Sequence, residues 1–329
     1  MKYLMLLLVT LSMPLLGQIP LDSKIYVAGH NGLVGRALVR KLESEGYTNL
    51  IVRTSQELDL RDQALTRAFF EEERPDYVFL AAAKVGGILA NMLGKADFIY
   101  DNLSIATNVI HFSALYGAKK VLVLGSSCIY PRECPQPIKE EYLMTGPLEP
   151  TNDAYALAKI ASIHMAQAYH ERYDTNYISV MPTNLYGPYD NFDLKTSHVF
   201  PGLIRKFIEA KDSNSPDVPL WGTGSPLREF LHVDDLADAC LFLMNTYDES
   251  DIVNIGWGKD ISIRDLACLI MKKVGYEGEL IFDISKPNGT PKKLLNVDRL
   301  TGLGWAPSIT LEEGIEQTIN WYRENYQEG

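Results

Sequence analysis

Tyr155 and Lys159 stand four residues apart in Tyr155-Ala156-Leu157-Ala158-Lys159, so on a helix they share one face. A free phenol has a pKa of about 10, too high for easy proton exchange at neutrality. An ammonium beside it favours the phenolate and brings the group towards working pH. Such a pair can move a proton on and off a carbonyl oxygen. Upstream, Gly125-Ser126-Ser127-Cys128 follows the apolar run Val121-Leu122-Val123-Leu124. A serine hydroxyl at the carboxyl end of a strand can hold that same oxygen. If the chain stays extended there, Ser126 and Cys128 point to the same side. Taken alone, Tyr-x-x-x-Lys is a surface pair in many helices, and a cysteine after an apolar strand is more often inert packing. The chemical reading rests on what accompanies them.

A second group of residues could hold a dinucleotide. Gly29-His30-Asn31-Gly32-Leu33-Val34-Gly35 lies between an apolar run of strand length and a segment of helical periodicity. Glycines at this spacing allow a tight turn and let backbone N–H groups approach a pyrophosphate at the helix start. After the next apolar run comes Arg53, where an enzyme using NAD usually offers an acidic residue to the ribose hydroxyl. A basic residue suits the 2′-phosphate of NADP. Asp59 is either an adenine contact or a solvated loop charge.

These residues need a scaffold, and the hydrophobic pattern describes one. Ile25–Ala28, Leu50–Val52, Tyr77–Leu80, Val121–Leu124 and Tyr177–Val180 read as strands. Leu33–Leu42, Leu65–Glu72, Ala96–Leu115 and Tyr155–Tyr173 read as the helices between them. Apolar strands alternating with helices predict an α/β fold with a doubly wound parallel sheet covered on both faces. Helices over Pro201–Ala210, Leu236–Thr246 and Ile263–Val274 predict a smaller C-terminal α/β lobe. The expected division is 23–185 for the dinucleotide-binding domain and 186–329 mainly for a substrate lobe, with some return of chain to the sheet. Residues 1–22 are set aside: Lys2 and the apolar run after it resemble a secretory signal or an upstream extension, too short and too interrupted by Pro14 for a membrane span.

Bulk properties narrow the partners. With 329 residues the chain exceeds one small domain, and 46% hydrophobic with 22% charged residues is ordinary for a globular enzyme. The net charge of -11 argues against nucleic acid and anionic membrane surfaces. The cysteines at 128, 134, 240 and 268 form no CxxC pair, so no metal site is expected and a reducing compartment is.

Set together, the Gly-x-x-Gly-x-x-Gly turn, the strand-end serine and the Tyr/Lys pair resemble the extended short-chain dehydrogenase/reductases. Longer strings are similar to the GDP-L-fucose synthase family: Ala81–Gly87, Gly125–Pro131, Glu149–Asn152, Met181–Pro188, Asp190–Phe192, Ser197–Val199, Arg228–Asp235 and the loop from Lys286 through Pro291. The match runs from about Lys24 to the C-terminus. It implies a bifunctional enzyme that epimerises C3 and C5 of GDP-4-dehydro-6-deoxy-D-mannose and reduces the C4 ketone with NADPH. Ser126, Tyr155 and Lys159 would then be catalytic for reduction, with Cys128 the base and His198 the acid of epimerisation. Thiol and imidazole both titrate within reach of neutrality.

The resemblance also implies cofactor contacts from Leu80, Ala81, Ala82, Lys159, Pro182, Thr183, Asn184, Leu185 and His198, besides Gly29–Gly35. It implies substrate contacts from Lys206, Trp221, Arg228, Asn288 and Lys293. Bacterial relatives often carry arginines where this chain has Asn31 and Ser55, and an acidic residue is common in relatives where it has Asn288. The first two departures leave more of the 2′-phosphate to Arg53. A homodimer through the helices 96–115 and 155–173 is implied, as is a cytoplasmic enzyme whose mature form needs no membrane, although the first residues point to export. Two rivals differ by residues. Another nucleotide-sugar epimerase or dehydratase would have no need of both Cys128 and His198, and a non-catalytic dinucleotide sensor usually lacks the tyrosine or lysine that this chain has.

Overall fold

The computed structural model describes residues 17–326, apart from Asp174 and Pro287. The signal-like run 1–16 and Pro287 of the late loop lie outside the described residues. The chain opens on β1 (Ile25–Ala28), α1 (Leu33–Ser44) and the short β2 (Leu50–Ile51). It continues through α2 (Gln63–Glu73), β3 (Tyr77–Leu80), α3 (Ile88–Leu93), α4 (Lys95–Leu115), β4 (Lys120–Leu124), α5 (Asp153–Arg172) and β5 (Asn176–Pro182). β6 (Asn184–Tyr186), α6 (Val199–Asp212), β7 (Asp217–Trp221) and β8 (Leu227–His232) lead out into the second lobe. α7 (Val233–Thr246) and β9 (Val253–Ile255) return to the first. β10 (Asp260–Ser262), α8 (Ile263–Val274), β11 (Glu279–Asp283), β12 (Lys292–Lys293), α9 (Asp298–Gly302) and α10 (Leu311–Asn325) complete the chain.

The main sheet is parallel throughout, with the order β2-β1-β3-β4-β5-β9. Successive residues of β1 serve opposite faces, as strand geometry requires. Ile25 and Val27 pack with Leu38 and Leu42 of α1 and Leu236 and Leu243 of α7. Tyr26 and Ala28 pack with Phe70 of α2 and Val109 and Ile110 of α4. Each such fully buried aliphatic side chain contributes about 1.5–3 kcal/mol. β1 has β2 on one side and β3 on the other, so the chain direction of winding reverses there, and a crevice opens at their carboxyl ends.

Two features depart from the sequence expectation. The fold begins before residue 23: Ile19 is 2% exposed, its N–H donates to Asn245 Oδ1 at 2.9 Å, and its carbonyl accepts from Tyr47 Oη at 3.2 Å. And the chain closes on α10, a helix outside the expected set, with Thr310 and Glu313 forming a capping box at its start.

The second lobe has its own core, in which Phe200 and Phe207 of α6, Leu266 and Ile270 of α8, and Ile315 and Ile319 of α10 meet. β8 joins the lobes. It pairs in parallel with β6 and β12 and antiparallel with β10. Within it Glu229 is wholly buried, and its carboxylate accepts from Gly258 N at 2.7 Å and Leu295 N at 3.0 Å. Its backbone carbonyl accepts from Asn184 Nδ2 at 2.8 Å and Thr183 Oγ1 at 3.3 Å. Burial pushes this carboxyl above its usual range, and the N–H donors of Leu295 and Gly258 oppose the rise.

Glu229→Gln keeps the shape but turns an NH2 towards one of those amides. Charge-assisted bonds to buried N–H groups support a loss of about 2–3 kcal/mol of unfolding free energy. Urea unfolding reads it directly, and a midpoint equal to the parent's would show that the carboxylate is not a tie.

Candidate active site

β4 ends at Leu124, and Ser126 follows in extended conformation (φ −168°, ψ 144°) as the cap of a short 3₁₀ turn, Ser127–Ile129. Ser126 Oγ accepts from Cys128 N at 3.3 Å, and Oγ and Cys128 Sγ lie 3.0 Å apart. The extended chain expected here is therefore absent. The two side chains meet because the backbone turns, since a cap hydrogen bond folds residue 128 back over residue 126.

α5 starts beside this turn and carries Tyr155 in its first turn and Lys159 one turn on. Lys159 is 7% exposed, its Nζ donates to the Leu124 carbonyl at 2.7 Å, and it lies 5.9 Å from the centroid of the Tyr155 ring. Burial pulls the Lys159 ammonium down to about 8, with the neighbouring Cys128 sulfur opposing. The phenol is not lowered, contrary to the expectation from the pair. Burial raises it, a charge on Cys128 would raise it further, and a hydrogen bond with Ser126 works the other way. The low-dielectric setting outweighs the cation, so the site presents a protonated phenol, a donor for an oxygen that gains charge. Phe98 closes one side, edge-on to Tyr155 at 6.5 Å.

His198 is the residue before α6, and among the described residues no hydrogen bond or ring contact ties it to Ser126, Cys128 or Tyr155. The loop before it is braced by Asp193, whose carboxylate accepts from the N–H groups of Lys195 and Thr196 at 2.9 and 3.0 Å. A Cβ on Gly87 would lie 3.4 Å from the carbonyls of Thr196 and Ser197, so this loop rests on the one that follows β3. His198 is open to solvent by area, yet desolvation lowers its pKa. The two agree for a side chain in a cleft, reachable by a molecule of water but flanked by protein. Sequence reading missed Asn102, which clamps the loop after β3 by accepting from Lys84 N at 2.9 Å and donating to Lys84 O at 3.0 Å. The adjacent polar residues Asp101 and Asn102, both on the buried side of α4, carry no signal in the sequence that sets them apart from its other polar residues.

The Gly-rich turn meets the requirements of a dinucleotide cradle. Gly29 has φ +83°, and a Cβ there would lie 2.6 Å from the backbone of Ala82. Among the described residues the start of α1 at Gly32 has no side-chain cap, which leaves its N–H groups for an anion, and His30 Nδ1 is buried without a hydrogen-bond partner. Leu33, Val34 and Gly35 form the first turn of α1. Leu80, Ala81 and Ala82 leave β3 beside Gly29, with Ala81 N bonded to Ala28 O at 3.0 Å. Pro182, Thr183, Asn184 and Leu185 lie across the end of β5 and along β6. These residues fit a dinucleotide along the carboxyl edge of the sheet. Arg53 is already engaged: it donates to Glu73 Oε1 at 2.6 Å and to Val52 O at 2.9 Å. Asp59 is held by Arg61 at 2.7 Å, and both Asn31 and Ser55 are exposed.

In the second lobe Lys206 Nζ donates to Pro219 O at 3.2 Å, which brings α6 to β7 and Trp221 at its end. Trp221 is 63% exposed, with Lys286 Nζ 5.6 Å over its ring. Arg228 lies in register with Lys293 across β8 and β12. Desolvation lowers the pKa of both Lys206 and Arg228, so an anion beside either would relieve a cost already present. Asn288 Oδ1 accepts from Thr223 N at 2.8 Å and Thr223 Oγ1 at 3.0 Å, so its oxygen shapes the turn beside Trp221.

Comparison with known proteins identifies the chain's relatives. A model of the NAD dependent epimerase/dehydratase family matches residues 25–256. The chain is 56% identical over 304 residues to GDP-L-fucose synthase 1 of Arabidopsis thaliana, spanning 92% of this chain and 94% of that one. It is 50% identical over 311 residues to GDP-L-fucose synthase of Escherichia coli (strain K12), spanning 92% and 97%. A crystal structure of a GDP-L-fucose synthetase from Naegleria fowleri bound to NADP superposes with a TM-score of 0.87 at 31% identity, covering 94% of this chain and 96% of that chain.

The lowered Lys159 predicts a pH signature in stability. Above a pH of about 8 the folded chain holds Lys159 neutral, while the unfolded chain keeps it charged up to the ordinary lysine value of 10.5. Between those values the unfolded state binds more protons, so this residue's contribution to stability rises with pH. Relative to Lys159→Met, the parent should gain stability from pH 8 to 10, with a slope approaching about 1.4 kcal/mol per pH unit. Urea midpoints of the two proteins across that range test it, and parallel profiles would contradict a buried, depressed lysine.

Proposed function

The chain belongs to the NAD dependent epimerase/dehydratase family, and within it we propose that it converts GDP-4-dehydro-6-deoxy-D-mannose to GDP-L-fucose, as its relatives' names suggest. The observation that carries this reading is Cys128 Sγ, 3.0 Å from Ser126 Oγ and beside Tyr155. A reductase alone needs the serine, tyrosine and lysine. A thiol in the same pocket adds a base.

Protons on C3 and C5 are acidified by the C4 ketone between them. Cys128 takes such a proton, and the electron pair moves into the C4 oxygen, where the Ser126 and Tyr155 hydroxyls hold the growing charge. His198 returns a proton to the carbon from the opposite side and inverts it. Desolvation makes its imidazolium the stronger acid. Exchange with solvent resets both groups, so the steps balance without a co-reactant. A nicotinamide cofactor, when bound, supplies the hydride for C4. Tyr155 then gives its proton to the C4 oxygen, with Lys159 keeping the emerging phenolate low in energy. The Gly29–Gly35 turn, Ala81, Ala82 and Thr183–Leu185 hold that cofactor, taken here as NADPH. Arg228, Lys293 and Lys206 take the diphosphate and Trp221 stacks on the guanine.

Incubation with GDP-4-dehydro-6-deoxy-D-mannose and NADPH in deuterated water should give GDP-L-fucose labelled at C3 and C5. Cys128→Ser should slow label entry by about a hundredfold or more while reduction of the ketone persists. Label entry at the parent rate in that variant would remove Cys128 as the base.

The assembly we favour is a homodimer through α4 and α5. Tyr100 and Leu157 on these helices are 65% and 50% exposed, and Leu93 just before α4 is 81% exposed, an apolar surface that suits a second copy. Sedimentation should show a dimer for the parent and a monomer for Tyr100→Glu. A parent that sediments as a monomer would rule the arrangement out. No helix among the described residues is long and apolar enough to cross a membrane, and the four cysteines are free. Free thiols and NADPH use both fit the cytoplasm.

A further inference from the structure

We propose that Arg36, in the first turns of α1, is the residue that selects the 2′-phosphate of the dinucleotide; this rests on the NADPH reading above. Its guanidinium reaches back over the Gly-rich turn, where Nε donates to Asn31 O at 3.1 Å and Nη2 lies 3.4 Å from Asn31 Oδ1. Its plane lies over the Tyr189 ring, 4.5 Å from the centroid. With His30 and Val52 it lines one cleft, together with Val39, Arg40 and Tyr189. His30 belongs to the pyrophosphate turn, and Val52 directly follows β2. The space between a first turn and the end of a second strand is where a Rossmann sheet reads the adenosine ribose.

The electrostatics single out Arg36 among nearby cations. Arg53 is bound to Glu73 at 2.6 Å, Arg40 to Asp234 at 2.5 Å, and Lys41 to both Glu45 and Asp238 at 2.6 and 2.8 Å. Among the described residues Arg36 has no carboxylate partner; it touches only neutral atoms of Asn31 and the face of Tyr189. Its charge is therefore uncompensated where an anionic ribose substituent would arrive. The contacts it does make are those of a preset fork: Nε is fixed by a carbonyl and the plane is backed by an aromatic ring. A phosphate would meet the Nη edge with little rotamer entropy left to lose. Arg53, by contrast, would have to share or leave Glu73.

The test measures binding, not turnover. NADPH and NADH are titrated by fluorescence, and 2′,5′-ADP and 5′-AMP by calorimetry, against the full chain and its Arg36→Ala, Arg36→Lys and Arg53→Ala variants. Arg36→Ala should weaken NADPH and 2′,5′-ADP by about tenfold to a hundredfold and change NADH and 5′-AMP by less than about threefold. Arg36→Lys should fall between the parent and Arg36→Ala for the phosphorylated ligands, because it keeps the charge without the fork. Equal losses for both ligand classes would mean that Arg36 merely shapes the turn, and would overturn the proposal. So would discrimination that survives Arg36→Ala and vanishes in Arg53→Ala. A parent that does not distinguish 2′,5′-ADP from 5′-AMP would refute the NADPH reading and this proposal together.

Discussion

A single buried carboxylate governs how the two halves of the molecule meet. Glu229 cannot be solvated, so its oxygens must take protein donors, and they take the N–H groups of Gly258 and Leu295 from two separate segments. The same residue's carbonyl holds Thr183 and Asn184 at the end of the central sheet. Its neighbour Arg228 faces Lys293 across the adjoining strand. One residue thus fixes the spacing between the cofactor's end of the sheet and the cations of the second lobe. Removing water from a charge is costly, and that cost makes the geometry specific, since few other arrangements supply the donors.

The site applies the same physics with the opposite sign. Lys159, Lys206 and Arg228 are all desolvated, and each pKa is lowered for that reason. On the outer surface, Lys41, Lys95 and Lys119 sit against carboxylates instead. The scaffold neutralises its charges, whereas the site leaves them short of partners. A charged substrate or a developing oxyanion is then the partner that completes the structure.

Much of this was readable from the chain. The runs Ile25–Ala28 and Tyr77–Leu80 are strands with the bounds that their apolar pattern marks, and Ile263–Val274 is the helix that its period describes. The grouping of Ser126, Cys128, Tyr155 and Lys159 was also legible, because two of the four follow a strand end and two lie on the helix that packs beside it. What escaped depends on tertiary contact. The turn that brings Cys128 onto Ser126 is set by one cap bond, which residue alternation does not reveal. The rise of the Tyr155 phenol follows from burial, and burial is a property of the assembled pocket. Arg53 looked available because its partner, Glu73, is twenty residues further on. Nothing in the periodicity of Leu33–Leu42 sets Arg36 apart, and its place at the cleft comes from a side chain that curls over Asn31.

Ile19 carries a practical consequence for the segment before it. Its side chain fills a position in the main core, and its backbone is tied to both Tyr47 and Asn245. Trimming that ends before Ile19 leaves this plug in place. Trimming past it uncovers Tyr47 and removes one hydrogen bond of its hydroxyl, a cost of the kind that core deletions carry. The folded core thus already includes residue 19, inside the stretch 1–22 that the sequence pattern alone sets aside.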